Sequence, residues 1–276
     1  MTPGERLPGG VAGSTVRRWV RFTPGERIGR TLAYLLSMIA IVWSARTIEV
    51  IPEFLYDAPE QAVDLFRRMW PIDWSFWHKM VAEALVETFH TATLGTLIAL
   101  VLAIPVALLA ARNVTPSVGL NLFAKFILVA SRSVNSLIWA LLFVAVFGPG
   151  ALAGTLAIAF RSIGFVGKLL AEALEEAPIG PIEALTAAGA PRGSILLKGY
   201  WPQIEPSFWS VALFRWDINV RESAVLGLVG AGGIGVALDT GLNNLYWDQV
   251  GLCLLVIFAV VIATEIATST IRSRII

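Results

Sequence analysis

Long apolar runs, separated by short polar segments, dominate the chain. A helix that crosses the hydrocarbon core of a membrane needs about 20 mostly apolar residues. Six runs reach that length: Thr31–Val50, Ala82–Ala111, Gly119–Phe147, Ala151–Ala171, Ser207–Val229 and Val250–Ser269. The third run is long enough to be broken or strongly tilted, and its weak point is SRSVNS at residues 131–136. The pattern predicts an all-α membrane protein with about six transmembrane helices.

The polar segments divide the chain into further parts. Residues 1–30 are polar, Gly-rich and basic, which predicts a tail and not a cleavable signal peptide. Residues 31–50 are predicted to form the first span. Residues 51–80 mix Trp, Phe and charge, which suits a helix lying at the outer membrane interface. Residues 81–276 are predicted to be a five-helix core that includes a polar loop at 177–206.

Composition supports the membrane assignment. The chain has 276 residues, of which 56% are hydrophobic and 15% charged, and its mean hydropathy is +0.72. Soluble domains average about 45–50% apolar and about 25% charged residues. The net charge of +1 does not suggest a nucleic-acid partner. Cys253 is the single cysteine, so no disulfide framework is expected, and neither His78 nor His90 has neighbours at metal-ligand spacing.

The distribution of basic residues predicts the orientation in the membrane. Cytoplasmic loops carry an excess of Lys and Arg. If six spans alternate, one side receives the basic tail together with Arg112, Lys125, Arg192, Lys198, Arg272 and Arg274. The opposite side receives residues 148–150 and 230–249, which contain neither Lys nor Arg. The exception on that side is the 51–80 segment, which contains Arg67, Arg68 and Lys79. Both termini and the 172–206 loop are therefore predicted to be cytoplasmic.

Prolines and glycines divide the 177–206 loop into short helices and turns. Glu183–Ala188 is a helix-prone stretch, and Gly189 suits the left-handed residue that follows a helix end. Pro191 helps to stop that helix, and a second short helix could follow up to Pro202. The pattern predicts a compact knob whose small residues, such as Ala184, allow close contact with a partner protein.

Ionisable residues are concentrated in the fifth span, in FRWDINVRES at 214–223. Each costs about 2.5–3.5 kcal/mol at membrane depth by insertion scales, so such groups usually face a cavity or a partner. At 3.6 residues per turn, Arg215, Asn219 and Glu222 share one face. Asp217 and Arg221 lie nearly opposite and can pair. The spacing predicts one structural face and one face along a pathway, without assigning them.

Further arginines inside spans suggest an anionic solute. Arg132 and Arg161 have no obvious local carboxylate, and a guanidinium group suits phosphate-like oxyanions. The alternative is that these arginines tie helices together through backbone carbonyls. The candidates for a solute path or its gate are Arg132, Asn135, Arg161, Arg215, Asp217, Asn219, Arg221 and Glu222.

A Gly-rich segment, GAGGIG, follows the fifth span. Its glycines (Gly230, Gly232, Gly233 and Gly235) formally satisfy a dinucleotide-binding pattern, but a membrane span and not a β-strand precedes them. The predicted structure is a flexible, tightly packed outer turn that is a candidate outer gate. The sequence also lacks a G-x-x-x-x-G-K-[ST] motif, so no ATP site is expected in this chain.

The polar loop resembles the cytoplasmic coupling loop of ABC importer permeases, whose pattern is E-A-A-x3-G-x9-I-x-L-P. Glu183, Ala184, Gly189 and Pro202 fit that pattern, whereas Leu185, Gly199 and Trp201 depart from it. Residues 214–238 resemble the same segment of phosphonate ABC transporter permeases, as do LLAARNVTP at 108–116 and PIDWSFW at 71–77. The resemblance covers roughly residues 70–270.

This resemblance implies an importer subunit of the bacterial inner membrane that moves phosphonates, or a related phosphorus oxyanion, into the cytoplasm by ATP-driven alternating access. The implied partners are a second copy of the chain, cytoplasmic ATPase subunits that bind ATP and Mg, an external solute-binding protein and membrane lipid. The chain itself is expected to bind no cofactor and to catalyse no reaction. The implied ATPase-coupling residues are Glu183, Ala184, Gly189, Arg192 and Pro202. Alternatives are an ABC permease for phosphate, phosphite or methionine, an ion-coupled secondary transporter, and a scaffold without transport.

Overall fold

The computed structural model describes residue 22, residues 24–48 and residues 52–275. Most of the predicted tail lies outside these residues. The helices are α1 (Pro24–Thr47), α2 (Pro52–Arg68), α3 (Ala82–Ala110), α4 (Val118–Ser133), α5 (Ser136–Phe147), α6 (Ala151–Glu176), α7 (Gly180–Ala187), α8 (Arg192–Ser194), α9 (Trp201–Leu226), α10 (Ile234–Asn243) and α11 (Trp247–Ile275). A π-helical turn at Trp77–Val81 leads into α3, and another at Ile195–Tyr200 joins α8 to α9. The described part of the chain contains no strand.

Among the described residues, five helical stretches are long and apolar enough to cross a membrane. They are Gly25–Thr47, Trp77–Ala110, Ala151–Glu176, Arg192–Asn243 and Trp247–Arg274. Helices α4 and α5 pass the same criterion together, although they meet at 90°, and they bring the number to six if they are one broken span. The predicted all-α membrane fold with about six spans is confirmed.

The break in the third span falls where the sequence predicts its weak point. Helix α4 ends at Ser133, and Val134 has an extended backbone. The side chain of Asn135 then caps α5 by accepting a hydrogen bond from the backbone N–H of Leu137 at 3.2 Å. Asn side chains favour this capping position over helix interiors. Asn135 therefore stabilises the start of a new helix at Ser136.

The chain divides into two compact units, residues 1–60 and residues 61–276. In the first unit, α1 begins at Pro24, seven residues before the predicted first span. The predicted interfacial segment contains α2, but it is not one helix up to residue 80, because α2 ends at Arg68.

Helices α3, α6 and α9 form the centre of the second unit, and small residues allow their close approach. Gly95 of α3 lies against α6, and a Cβ atom added there would be 2.7 Å from Ile158 Cγ2. The buried positions of α3 continue with Ala92, Ala99, Ala103 and Ala107. Small residues at helix contacts are typical of membrane proteins, in which van der Waals packing drives association.

Two predicted boundaries on the carboxyl-terminal side are wrong. Helix α9 begins at Trp201 and not at Ser207, and it follows the π-helical turn at Ile195–Tyr200 directly, with Pro202 in its first turn. The predicted 177–206 loop is shorter by the same amount. Residues 230–249 are also more than a turn, since they contain α10, whose ten residues are too few to cross a membrane by themselves.

Candidate functional site

The helix predicted at the start of the polar loop is α7, and its end has the expected geometry. Gly189 follows it with φ +73°. The N–H of Gly189 donates to the carbonyl of Thr186 at 3.0 Å, and the N–H of Ala190 donates to that of Leu185 at 3.0 Å. These two bonds form a Schellman motif, which satisfies the last carbonyls of the helix.

One face of α7 packs against the π-helical turn at Ile195–Tyr200. A Cβ atom added to Gly199 would lie 3.2 Å from Leu185 Cδ1 and 3.6 Å from Ile182 Cγ1. Gly199 departs from the family pattern, and Leu185, which also departs from it, is the side chain that fills the space. The two departures therefore compensate for each other in packing.

The opposite face of α7 is exposed. The exposed residues of this region include every predicted coupling residue, namely Glu183, Ala184, Gly189, Arg192 and Pro202. The loop thus presents a short helix that carries one acidic and several small side chains outward. Such a surface can enter a groove of another protein without displacing bulky groups.

A buried polar network joins α3, α6 and α9 at mid-span. Arg215 Nε donates to Ser162 Oγ at 2.8 Å, and Asn219 Nδ2 donates to Thr96 Oγ1 at 2.7 Å. Arg215 is 3% exposed and Asn219 is fully buried. The ring of Phe165 lies 5.4 Å from the guanidinium carbon of Arg215. These contacts tie the three helices together with satisfied polar groups.

Glu222 extends this network towards a less buried region. It accepts a hydrogen bond from Arg215 Nη2 at 3.3 Å and forms an ion pair with Arg161 through its other oxygen. Arg161 also donates to Ser136 Oγ at 3.3 Å, and Ser136 Oγ donates to Asn135 Oδ1 at 3.2 Å. The side chain of Arg161 is 29% exposed. One carboxylate therefore faces two arginines, which leaves a net positive charge at this site.

Asp217 and Arg221 form the ion pair that their spacing predicts. The side chain of Arg221 is 42% exposed, whereas that of Asp217 is buried. Asp217 Oδ1 has no hydrogen-bond partner among the described residues. Arg221 is thus an accessible cation that a buried carboxylate holds from one side only.

Arg132 lies elsewhere. It is exposed near the end of α4, and it lines a separate cavity between α4 and α6. The predicted solute-path set therefore divides into the α9 network with Asn135, the Asp217–Arg221 pair, and Arg132 by itself.

The Gly-rich segment forms a tightly packed turn. Gly230, Gly232 and Gly233 all have positive φ, between 74° and 85°. A Cβ atom on Gly235 would lie 2.7 Å from Gly227 Cα. The N–H of Ile234 donates to Thr88 Oγ1 of α3 at 2.8 Å. The backbone here contacts its neighbours directly, as the sequence predicts; movement as a gate remains a prediction.

Sequence reasoning missed the hydroxyl side chains that complete the network. Thr88, Thr96, Ser136 and Ser162 are buried and hydrogen-bonded to residues of other helices or to the Gly-rich turn. The sequence does indicate such contacts, because Ser and Thr residues within membrane spans typically form hydrogen bonds between helices. Spacing alone did not show which Ser and Thr residues meet the charged face of α9. Within residues 22, 24–48 and 52–275, no group of three His, Cys, Asp or Glu side chains could hold a metal ion.

Residues 103–273 match a protein family described as the binding-protein-dependent transport system inner membrane component. The chain belongs to this permease family. It is therefore a multi-pass protein of the inner membrane, and the family is that of a transmembrane transport component.

The permease is similar to several named proteins. It is 41% identical to the phosphite transport system permease protein PtxC of Stutzerimonas stutzeri, over 74% of each chain. It is 35% identical to the putative phosphite transport system permease protein HtxC of the same organism, over 88% of this chain and 85% of that one. It is 38% identical to the phosphate-import permease protein PhnE of Mycolicibacterium smegmatis over 84% of this chain, but spans only 44% of that longer relative.

Solved structures share the fold of the permease. A chain from an inward-facing structure of the MetNI methionine ABC transporter matches with a TM-score of 0.63 and 22% identity, over 74% of this chain and 100% of that one. A chain from a bacterial alginate ABC transporter matches with a TM-score of 0.60 and 16% identity, over 91% and 97%. At this identity the likeness shows the fold alone.

Proposed function

We propose that the permease is the transmembrane subunit of an ABC importer that moves phosphonates, or a related phosphorus oxyanion, into the cytoplasm. Two relatives named for phosphite and one named for phosphate support this solute class. The observation that carries the proposal is Arg221, a half-exposed cation within a membrane span. A phosphorus oxyanion is the kind of solute that such a cation binds well.

The exposed face of α9 supports a solute path along this helix. Phe214, Arg221 and Val225 lie on one face, and all three are exposed. Ionisable groups in spans face a water-filled cavity or a protein partner and avoid lipid. The guanidinium group presents a planar fork of donors that matches two oxygens of a phosphonate. Asp217 holds this fork when no solute is bound, and a solute oxyanion competes with it.

Arg161 is a second partly exposed cation, and it lies beside the face of α9 that carries Arg215 and Glu222, not beside Arg221. Its carboxylate partner among the described residues, Glu222, also binds Arg215, so the three side chains together carry one net positive charge. An anion that reaches Arg161 therefore meets a net charge of only +1. This charge attracts the anion and still permits its release.

The partners follow the family resemblance. A second copy of the chain completes the path at their interface, cytoplasmic ATPase subunits that bind ATP and Mg contact the exposed face of α7, and an external solute-binding protein delivers the solute. Both termini and α7 are cytoplasmic. In support, the N–H of Arg112 donates to Glu175 at 2.8 Å, so the basic turn after α3 lies at the same end as the coupling loop.

Solute-stimulated ATP turnover of the assembled transporter tests the solute class. The permease would be reconstituted with its ATPase and binding protein, then titrated with 2-aminoethylphosphonate, methylphosphonate, phosphite, phosphate and methionine. We expect stimulation by phosphorus oxyanions and none by methionine. Stimulation by methionine alone would overturn the solute class, and transport driven by an ion gradient without ATP would overturn the ABC assignment.

Glu183→Lys tests the coupling role of α7. Its reversed charge points outward from an exposed position, so we expect normal membrane insertion and a loss of at least about tenfold in solute-stimulated ATP turnover. Glu60→Lys reverses a charge on the exposed α2 and serves as the matched control, with unchanged turnover. Full coupling in Glu183→Lys would refute the assignment of α7.

A further inference from the structure

A second group of basic side chains lies away from α9, in a cavity of about 240 Å³ between α4 and α6. Lys125 and Arg132 of α4 and Lys168 of α6 line it, together with two carboxylates, Glu172 and Glu175. The cavity adjoins the end of α6 that leads into the coupling loop. It belongs neither to the α9 network nor to the Gly-rich turn.

Close packing of α4 on α6 fixes the inner wall of this cavity. A Cβ atom added to Gly167 would lie 2.5 Å from Leu128 Cδ2, so the leucine lies directly on the glycine. Ser131 Oγ accepts a hydrogen bond from the N–H of Gly164 at 3.1 Å. Lys125 and Arg132 are seven residues apart, which places them on the same side of α4 as Leu128. The two cations are therefore carried by a rigid helix contact.

The carboxylates of the cavity already have partners. Glu172 pairs with Lys168 at 3.2 Å, and Glu175 accepts the N–H of Arg112 at 2.8 Å. The side chains of Lys125 and Arg132, by contrast, form no hydrogen bond or ion pair with any residue in the described ranges 22, 24–48 and 52–275. Three cations and two carboxylates give the lining a net charge of +1. Lys125 and Arg132 therefore have side-chain N–H donors without an acceptor among the described residues.

The size and the donors suit a tetrahedral oxyanion. A volume of 240 Å³ corresponds to about eight water molecules at roughly 30 Å³ each, which leaves room for a phosphate group and several waters. Lys offers three donors and Arg five, whereas a phosphate offers only acceptors at neutral pH apart from a single proton. Charge-assisted bonds of this kind are about twice as strong as neutral ones.

We propose that this cavity binds a phosphate-class oxyanion through Lys125 and Arg132. The oxyanion is either the head group of an anionic phospholipid or a free solute leaving the path. The neighbouring surface of α4 favours the lipid, because Leu122, Phe126 and Val129 are exposed and apolar, as acyl chains require. Basic pockets between helices near the cytoplasmic surface are suited to anionic head groups. The free-solute source rests on the proposed function, whereas the lipid source does not.

Ligand-dependent thermal stability of the purified full-length chain in detergent tests the site. A ligand that binds the folded state alone raises the Tm in a concentration-dependent way. The probes are phosphatidylglycerol, phosphatidylcholine and inorganic phosphate, and the variant is Lys125→Gln/Arg132→Gln. We expect phosphatidylglycerol to raise the Tm of the unsubstituted protein, with at least a tenfold weaker apparent affinity in the double variant. A comparable effect of inorganic phosphate would assign the site to the free oxyanion as well.

Two controls keep the proposal falsifiable if the double variant is unstable. Arg274→Gln removes an exposed cation near the end of α11 and should bind phosphatidylglycerol normally. Lys125→Arg/Arg132→Lys keeps one Lys and one Arg in the cavity, with the same total charge and number of donors, and should retain binding within about threefold. No Tm response of the unsubstituted chain to either anionic probe would overturn the proposal, as would equal responses in the double variant. Because the assay uses the chain without its ATPase, it can fail while the transport proposal stands.

Discussion

The two faces of α9 carry similar residues in opposite environments. On one face, Arg215 and Asn219 are almost completely buried and are hydrogen-bonded to Ser162 and Thr96. On the other, Arg221 is 42% exposed, and Asp217 is its one ion-pair partner among the described residues. The two arginines lie six residues apart on the same helix. Both side chains are guanidinium groups, so only their surroundings distinguish Arg215 from Arg221.

The difference shows how a membrane protein divides its charges between structure and transport. A buried arginine with several partners holds helices together, because its removal leaves polar groups unpaired in a medium of low dielectric constant. A half-exposed arginine with one partner can exchange that partner for a solute. We therefore propose that the Arg215 face serves the architecture and the Arg221 face the path.

Arg215→Met should cause the largest loss of stability. It removes the two hydrogen bonds that the buried guanidinium donates, to Ser162 and to Glu222, and each hydrogen bond of a charged group contributes about 1.5–3 kcal/mol. We expect a clear drop in Tm and in the amount of folded protein in the membrane, measured by thermal unfolding in detergent and by size-exclusion chromatography.

The matched variant on the other face is Asp217→Asn/Arg221→Gln. It removes both charges of one pair together, so no charge is left alone, and a pair of this kind with an exposed partner contributes about 1 kcal/mol or less. Its Tm should stay close to that of the unsubstituted protein. If this double variant is as unstable as Arg215→Met, the division between the two faces is wrong.

Gly235→Ala tests the outer end of the buried face and should have an intermediate effect. The added methyl group would meet backbone atoms of Gly227 and Ala224, which cannot move as a side chain can. Overpacking of this kind costs about 1–3 kcal/mol. Gly193→Ala is the control, because a Cβ atom there meets nothing within 4 Å. Equal Tm values for the two alanine variants would show that the Gly-rich turn is looser than its geometry indicates.

Asp217→Asn/Arg221→Gln should have the smallest free-energy effect, and it should appear in transport and not in stability. We expect solute-stimulated ATP turnover to fall about tenfold, which corresponds to about 1.4 kcal/mol. Arg221→Lys keeps the charge but loses the planar fork, so its turnover should be intermediate. Unchanged turnover in both variants would remove Arg221 from the solute path.

Much of this arrangement could be predicted from the sequence, because helix periodicity fixes which residues share a face. The spacing predicted the Asp217–Arg221 pair, the left-handed Gly189 and the break near residues 131–136, and all three are present. These features depend on residues close together in the chain.

Features that depend on distant residues could not be predicted. The partners Ser162 and Thr96 lie 53 and 123 residues from Arg215 and Asn219, respectively, and no local pattern selects them from the other Ser and Thr residues. Helix α10 was not predicted, because its ten residues, which include Asp, Thr and Asn, lack the long apolar run that identifies a span. The choice between the two faces of α9 needed burial, which only packing determines.

Cysteine accessibility along α9 tests the central claim most directly. The single native cysteine, the buried Cys253, would be replaced by Ala, and single cysteines placed at Val225 on the exposed face, at Ser223 on the buried face, and at Phe258, an exposed apolar position of α11. The assembled transporter would then be treated with a membrane-impermeant thiol reagent, which requires water because the thiolate is the reactive form.

We predict that Val225→Cys reacts at least tenfold faster than either Ser223→Cys or Phe258→Cys in one nucleotide state, and that phosphonate slows this reaction. That result would place water and solute on the Arg221 face. If Val225→Cys is as unreactive as Phe258→Cys in every nucleotide state, the exposed face of α9 meets lipid or protein, and the solute path lies elsewhere.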